Sequence, residues 1–413
     1  MKLLFAIIYL LIVACDIAVV RRMAVIGCSR WRKTAFALYA AVTDLLPVAA
    51  LILSYSVADN TPPVLRCAMW LFSAYLITVL PRVVFYPFAF ISQKRLFTAI
   101  GCIASLIVAG SLIYGLIVGR KHIVIKNISI CSDRLPDSFD GFRIVHFSDL
   151  HVGSLLSPLR ETDRVVETVN SLDADLVVFS GDLVTVRYTE LDGSIMETLS
   201  RLSAKYGVVA SVGNHDTGLY VKDSLSLPKM ENRCRLIDRE RKMGWNVLDD
   251  TTIYLHRGED SISVSGISFP DELYDFRHLT EMPEYDISHI YAGVPHGTFN
   301  VTVSHIPQMW TRIMSLGYGD LTLSGHVHAM QAKLHMCGRD FSPAELFYKQ
   351  WSGLYEQDNR NLYINDGIGY VGAFMRIGAW PEITVLTLKS CKTEHKPSKQ
   401  TEKSSKTPHQ GAN

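Results

Sequence analysis

The sequence predicts an α/β domain with a central sheet, carried on an α-helical membrane region. Three observations predict it. Apolar stretches of membrane-spanning length crowd the part before residue 120. After residue 122, strand-like and helix-like patterns alternate, as they do in an α/β layer. Within that second part, five segments share one design: an apolar run ending in a tight turn that carries Asp, Asn or His.

The bulk numbers agree with this division. The chain has 413 residues, enough for two or three domains. Hydrophobic residues make up 48%, and the excess sits in the first third. A net charge of +1 gives no reason to expect a nucleic-acid partner. The eight cysteines show neither CxxC nor zinc-finger spacing. A disulfide among Cys131, Cys234, Cys337 and Cys391 is compatible with a location outside the cytosol, but spacing does not specify one.

The stretches 3–20, 35–57, 65–91 and 97–118 approach or exceed the roughly 20 residues of a spanning helix. They predict a four-helix anchor over 1–120 in contact with membrane lipids. The first stretch is short, and Ile12-Val13-Ala14-Cys15 has the look of a lipoprotein cleavage box. The basic cluster Arg21, Arg22, Arg30, Arg32 and Lys33 behind it prefers the cytoplasm, so the stretch reads as a true span. Lys94 and Arg95 suit the inside, and the weakly charged loop 59–66 suits the outside. Four spans then place everything after residue 120 on the extracytoplasmic side of the cell membrane, with Arg120 and Lys121 as weaker evidence against. Asp44 and Arg82 each lie nine residues from the cytoplasmic end of a span, a depth of roughly 13 Å. Equal depth predicts an ion pair, read as a structural staple rather than a transport site. Asp16 is expected to reach the interface.

In the second part, helices are expected at 158–171, 194–205, 228–243 and 308–316, with further strands at 261–267, 361–365 and 383–388. The near-continuous apolar runs indicate strands covered on both faces. Such sheets carry their site beyond the carboxyl ends of the strands. There the five segments place Asp149 and His151, then Asp182, then Asn214, His215 and Asp216, then His305, then His326 and His328. Carboxylate, amide and imidazole together suit Mn, Fe or Zn. Asp149, His151, Asp182, Asn214, His305, His326 and His328 are too many ligands for one tetrahedral zinc. They suffice for two divalent ions if one carboxylate bridges, an arrangement that clamps the oxygens of a phosphoryl displacement. Singly each motif is ordinary: a DxH is more often a loop, a Gly-Asp a turn, and His305 a satisfied core histidine. Five in series, each at the end of a buried run, are not ordinary.

Asp-Leu-His at 149–151, Gly-Asp at 181–182, Gly-Asn-His-Asp at 213–216, His305 and Gly-His-Val-His at 325–328 resemble, in order, the signature of the calcineurin-like metallophosphoesterases. The resemblance spans roughly 142–390. Ser-His-Ile-Pro at 304–307 and Gly-Ala-Trp-Pro-Glu-Ile at 378–383 resemble the bacterial membrane-associated branch. It implies a two-sheet α/β/β/α sandwich at 121–390 and a dinuclear site. By position, Asp149, His151, Asp182 and His328 would hold one ion. Asp182, Asn214, His305 and His326 would hold the other, with Asp182 bridging. His215, oriented by Asp216, would protonate the leaving oxygen or steady the transition state while a metal-bound hydroxide attacks phosphorus. Relatives of this branch often carry two glycines where Ala329 and Met330 stand, an Asp at Thr185, and a basic residue at Asp366.

The expected function is therefore hydrolysis of phosphate ester or pyrophosphate bonds in a phosphorylated small molecule or lipid, with an envelope substrate suggested by the anchor. The alternative is a catalytically weak membrane sensor or scaffold that uses the same fold to bind a phosphorylated ligand. A transporter with an appended domain is a third and weaker reading. The Lys-, Ser- and Thr-rich tail at 391–413 is expected to be disordered.

Overall fold

The computed structural model describes residues 2–91, 94–222, 229–280 and 282–391. The tail expected to be disordered lies outside them apart from Cys391. Four long helices come first: α1 (Lys2–Val25), α2 (Arg30–Ser56), α3 (Pro62–Ile91) and α4 (Arg95–Ile117). Among the described residues, three helices are long and apolar enough to cross a membrane: α2, α3, and α4 with its short extension to Lys121. Helix α1 is not among the three, so four spans remain an expectation.

The expected ion pair forms, with Arg82 Nη2 2.7 Å from Asp44 Oδ1. Asp16 joins the same pair from α1. It is 4% exposed, pairs with Arg82 Nη1 at 2.8 Å and accepts the Tyr86 hydroxyl at 2.7 Å. A guanidinium has two faces to offer, and only packing three helices together shows that both are used.

Among the described residues, fourteen strands follow. The first sheet holds β1 (Val124–Ser132), β2 (Arg143–Phe147), β3 (Leu176–Phe179), β4 (Val208–Ala210) and β5 (Asn246–Val247). Next come β6 (Thr251–Arg257), β7 (Asp260–Ile267), β8 (Asn300–Ser304) and β9 (Leu321–Ser324) of the second sheet. A hairpin, β10 (Leu334–Met336) and β11 (Arg339–Phe341), precedes β12 (Gly353–Gln357), β13 (Arg360–Ile364) and β14 (Glu382–Ser390). The two six-stranded sheets run β1-β14-β2-β3-β4-β5 and β12-β13-β9-β8-β7-β6.

The apolar runs of β2, β3 and β4 divide by the period-2 rule into two cores. Val145, Phe147, Val177, Phe179, Val208 and Ala210 pack toward α5 (Pro158–Asn170), α6 (Gly193–Leu199) and α7 (Lys229–Lys242). Ile144, Leu176, Val178 and Val209 meet Ile262, Val264, Val301, Val303, Leu321 and Leu323 of the second sheet. The result is the α/β/β/α sandwich, closed on its outer side by α8 (Trp310–Ser315) and neighbouring loops. Helix α6 stops at Leu199, short of the expected residue 205; its N-cap Asp192 accepts from the Ile195 amide at 2.9 Å. The parallel register pairs Phe147 with Phe179 and Phe179 with Ala210. Those pairings bring three motif turns to one edge.

The membrane helices and the sandwich share packing. Met69 of α3 belongs to the first core, and Leu65, Leu116 and Ile123 pack against it. Ala373 and Met375 sit with Leu112, Phe72 and Leu76 of α3 and α4. Gly115 and Gly119 let α4 approach the backbone closely: a Cβ on Gly119 would lie 2.3 Å from the Arg376 carbonyl.

Candidate metal centre

The site is built at the carboxyl ends of β2, β3, β4, β8 and β9. Asp149, His151, Asp182, His326 and His328 all have positive φ, from 47° to 70°. Non-glycine residues take this conformation at some cost, and it recurs where side chains must converge. Amide bonds stitch the turns together: Asp149 donates to the Gly181 carbonyl at 2.9 Å and His151 to the Asp182 carbonyl at 3.1 Å. Gly213 has to be glycine, because a Cβ there would lie 2.2 Å from Asp182 Oδ1.

All seven expected ligands come together, and each is at most 8% exposed. Asp149, His151 and His328 form one group of converging ligand atoms; Asp182, His305 and His326 form another; His151, Asp182 and His215 form a third. His328 Nε2 lies 3.0 Å from Asp149 Oδ1, and His151 Nε2 lies 3.2 Å from His328 Nε2. In the second group, Asn214 Oδ1 is 2.9 Å from His326 Nδ1. His305 Nε2 lies 3.0 Å from Asp182 Oδ2 yet makes no hydrogen bond. Its other nitrogen faces the Ser180 carbonyl at 2.8 Å, which turns Nε2 inward toward the carboxylates, where a metal ligand would have to point. Burial pulls the His305 pKa down, but the Asp182 and Asp149 carboxylates outweigh it and raise it to about 9. Burial likewise pushes Asp149 up, and His328 and His305 overcome it to hold the carboxyl well below its usual range. Against burial, the carboxylates raise His151 too, whereas burial lowers His326 and His328, so buried carboxylates face neutral imidazoles able to ligate. The residues present therefore fit divalent metal ions.

His215 borders this cluster. Its amide donates to Asp182 Oδ1 at 2.7 Å, and its ring lies 4.8 Å from that of His151. Its orientation corrects the sequence expectation. The Thr185 carbonyl faces His215 Nδ1 at 2.6 Å, whereas Asp216 faces the backbone. Asp216 accepts from the amides of Asp182, Leu183, Val184 and Gly213 at 2.7 to 3.1 Å. A carboxylate that close to four amides is drawn to them rather than to a ring. Burial lowers the His215 pKa to about 4, so without bound ions the ring is neutral at pH 7.

Residues 142–330 match the model of the calcineurin-like phosphoesterases. That stretch is a calcineurin-like phosphoesterase domain. The chain is a phosphoesterase hydrolase, and its apolar helices associate it with a membrane. It is 28% identical over 272 residues to the uncharacterized metallophosphoesterase YkuE of Bacillus subtilis strain 168, covering 63% of this chain and 84% of that one. A Danio rerio transmembrane protein with metallophosphoesterase domain is 27% identical over 304 residues, 70% of this chain and 62% of that one. The UDP-2,3-diacylglucosamine pyrophosphatase LpxG of Chlamydia muridarum is 36% identical over 91 residues, 21% of this chain and 27% of that protein.

Several residues of the phosphoesterase site escape sequence reading. Arg376 is fully buried; it donates to the carbonyls of Gly369, Asp366 and Ala379, and its Nη2 lies 3.0 Å from His328 Nδ1. Glu190 accepts the amides of Gly153, Thr185, Val186 and Arg187, tying the turn after His151 to the turn after Asp182. His278 stacks on His326 with centroids 5.4 Å apart and meets the Tyr348 hydroxyl at 2.7 Å. None of these has a sequence motif: Arg376 and His278 are each brought in from 48 residues away, and Glu190 is marked only by backbone amides that a local pattern does not reveal.

The three departures acquire physical meaning. Ala329 and Met330 extend a left-handed run with φ of 47° and 46°, a conformation glycine would adopt without strain. The Thr185 hydroxyl accepts the Ser154 amide at 3.0 Å, tying the turn after Asp182 to the turn after His151. Asp366 is buried, pairs with Lys333 and lies 3.7 Å from Lys126, so cations from other strands neutralise it.

Proposed function

We propose that this chain is a membrane-anchored phosphoesterase that uses two divalent ions to hydrolyse phosphate ester or pyrophosphate bonds of a lipid-linked or envelope substrate. The observation that carries the lipid reading is continuity between site and anchor. The Gly369 amide donates to the Asp149 carbonyl at 2.7 Å, and five residues later the Phe374 amide donates to Ser73 Oγ of α3 at 3.0 Å. One short loop thus touches both a candidate ligand turn and a membrane helix. The LpxG relative, whose name describes a pyrophosphatase of a nucleotide-linked acylated sugar, supports including that substrate class.

Asp149, His151, Asp182 and His328 would hold one ion, and Asp182, Asn214, His305 and His326 the other. Bound there, two such ions would supply positive charge to the phosphate oxygens and lower the pKa of water. The chain's own residues do the positioning. Glu190 and Asp216 hold the turns by their amides. Thr185 engages His215 Nδ1 and leaves Nε2 to serve the leaving oxygen, and a bound phosphate would raise the ring's pKa again.

The extracytoplasmic placement has two supports. The ends of α2, α3 and α4 nearest the sandwich are opposite those bearing Arg30, Arg32, Lys33, Lys94 and Arg95. Cys131 and Cys391 are joined as a disulfide, with Cα atoms 5.6 Å apart, as suits an oxidising compartment.

The test is the full chain in lipid nanodiscs with Mn. A chromogenic diester, a monoester and a nucleotide-linked lipid pyrophosphate are assayed beside Asp182→Asn and His215→Gln. Asp182→Asn should lose metal and activity together. His215→Gln should keep metal and lose roughly a hundredfold in turnover. Metal binding without turnover of any substrate would favour the sensor reading instead.

A further inference from the structure

We infer that the loop joining the second and third membrane helices is part of the catalytic unit, with Asn60 a positioning residue that acts through Tyr220 on His215 and Asn214. The inference rests on the phosphoesterase reading for the roles of those two residues. Its geometry is independent of that reading.

The loop pairs with the motif turn as a short strand would. Asn60 Nδ2 donates to the Tyr220 carbonyl at 2.8 Å, and Asn60 Oδ1 accepts the Lys222 amide at 2.8 Å. The Asn60 amide itself donates to the Lys222 carbonyl at 3.2 Å. Arg187, from the turn after Asp182, fastens the same junction: its Nη2 donates to Asp59 Oδ1, Asn60 Oδ1 and the Lys222 carbonyl at 2.6, 2.9 and 2.8 Å. The loop between α2 and α3 thus has five hydrogen bonds to the site's own turns.

Tyr220 transmits the placement. Its ring lies flat on that of His215, with centroids 4.0 Å apart and planes 5° from parallel. With His151 edge-on at 4.8 Å, the His215 ring is confined from both sides. The Tyr220 hydroxyl accepts from Asn214 Nδ2 at 3.0 Å and from Arg277 Nε at 2.8 Å. A phenol oxygen accepting from the amide nitrogen leaves Asn214 Oδ1 facing His326, the orientation a metal ligand needs. Bonds from Asn60 to the Tyr220 carbonyl and to the Lys222 amide and carbonyl fix the backbone at and just after Tyr220, and so set where that ring and hydroxyl can be. The anchor therefore supplies part of the site's rigidity, not only its address.

The test uses the full chain in nanodiscs, at saturating Mn, with a soluble chromogenic diester. Asn60→Ala should lower kcat about tenfold, the usual scale for an outer-shell support, with KM and bound Mn unchanged. Tyr220→Ala should do the same, and the double variant should be no slower than Tyr220→Ala alone, because both remove one pathway. In the metal-free chain, hydrogen exchange at the Lys222 amide should quicken about tenfold in Asn60→Ala. An unchanged kcat, a double variant slower by the product of the two losses, or unchanged exchange would each overturn the inference. A wild-type chain inactive on every ester would instead sink the phosphoesterase reading, and the exchange arm would still decide whether the loop braces the turn.

Discussion

At the scale of single residues the site is governed by close approach. Gly213 faces Asp182 with no room for a methyl group, since its Cβ would stand 2.2 Å from Oδ1 and 2.4 Å from the Asp182 amide nitrogen. Gly213→Ala should therefore displace that carboxylate and weaken Mn binding at least tenfold while the sandwich still folds. Isothermal titration of the variant with Mn, beside circular dichroism, checks both halves. Arg376 has the opposite character, a buried charge stabilised by being fully bonded. Burial brings its pKa down to about 10, so it remains cationic at neutral pH. Arg376→Gln would orphan several buried carbonyls and should destabilise the chain by about 3 kcal/mol or more. Thermal unfolding in detergent measures the loss, and an unchanged midpoint would contradict the account.

At the scale of elements, the membrane helices are held by one cation serving two carboxylates. Asp16 of α1 and Asp44 of α2 both contact Arg82 of α3. Removing the cation strands two buried charges, whereas removing one carboxylate leaves a pair. Arg82→Gln should thus destabilise by about 3–5 kcal/mol, more than Asp44→Asn. Converting all three to amides should recover part of that loss, because no uncompensated charge remains. Folded yield after detergent extraction reports the order, and a triple variant worse than Arg82→Gln would refute it. Strand geometry shows the same dependence on partners. β2, β3 and β4 are short, yet each bears two cores because both faces are covered.

At the scale of the whole molecule, anchor and sandwich behave as one body. Arg66 of α3 donates to the carbonyls of Gly153 and Leu155, just past His151, and Arg120 pairs with Glu161 at 3.2 Å. If the sandwich faces outward, the exposed Cys234 and Cys337 should react with a membrane-impermeant maleimide in intact cells. Cys28, between α1 and α2, should react only after permeabilisation. Labelling of Cys28 alone in intact cells would reverse the topology.

The sequence by itself determined the α/β class, the apolar helices, the family resemblance and the seven residues that converge at the candidate site. Those features are local: apolar periodicity, ligand-rich turns after buried runs, and the order of five motifs are all written along the chain. The Asp44–Arg82 pair was also legible, because equal depth can be counted in residues. What only the tertiary structure decided was which partner each polar group meets. Asp16 turned inward to Arg82, Asp216 took backbone amides in place of the His215 ring, Arg376 and His278 arrived from distant loops, and Glu190 and Tyr220 folded back from just beyond their own motifs. Hydrogen bonds depend on positions within a few tenths of an ångström, and those positions are set by how the layers pack, which no local pattern encodes.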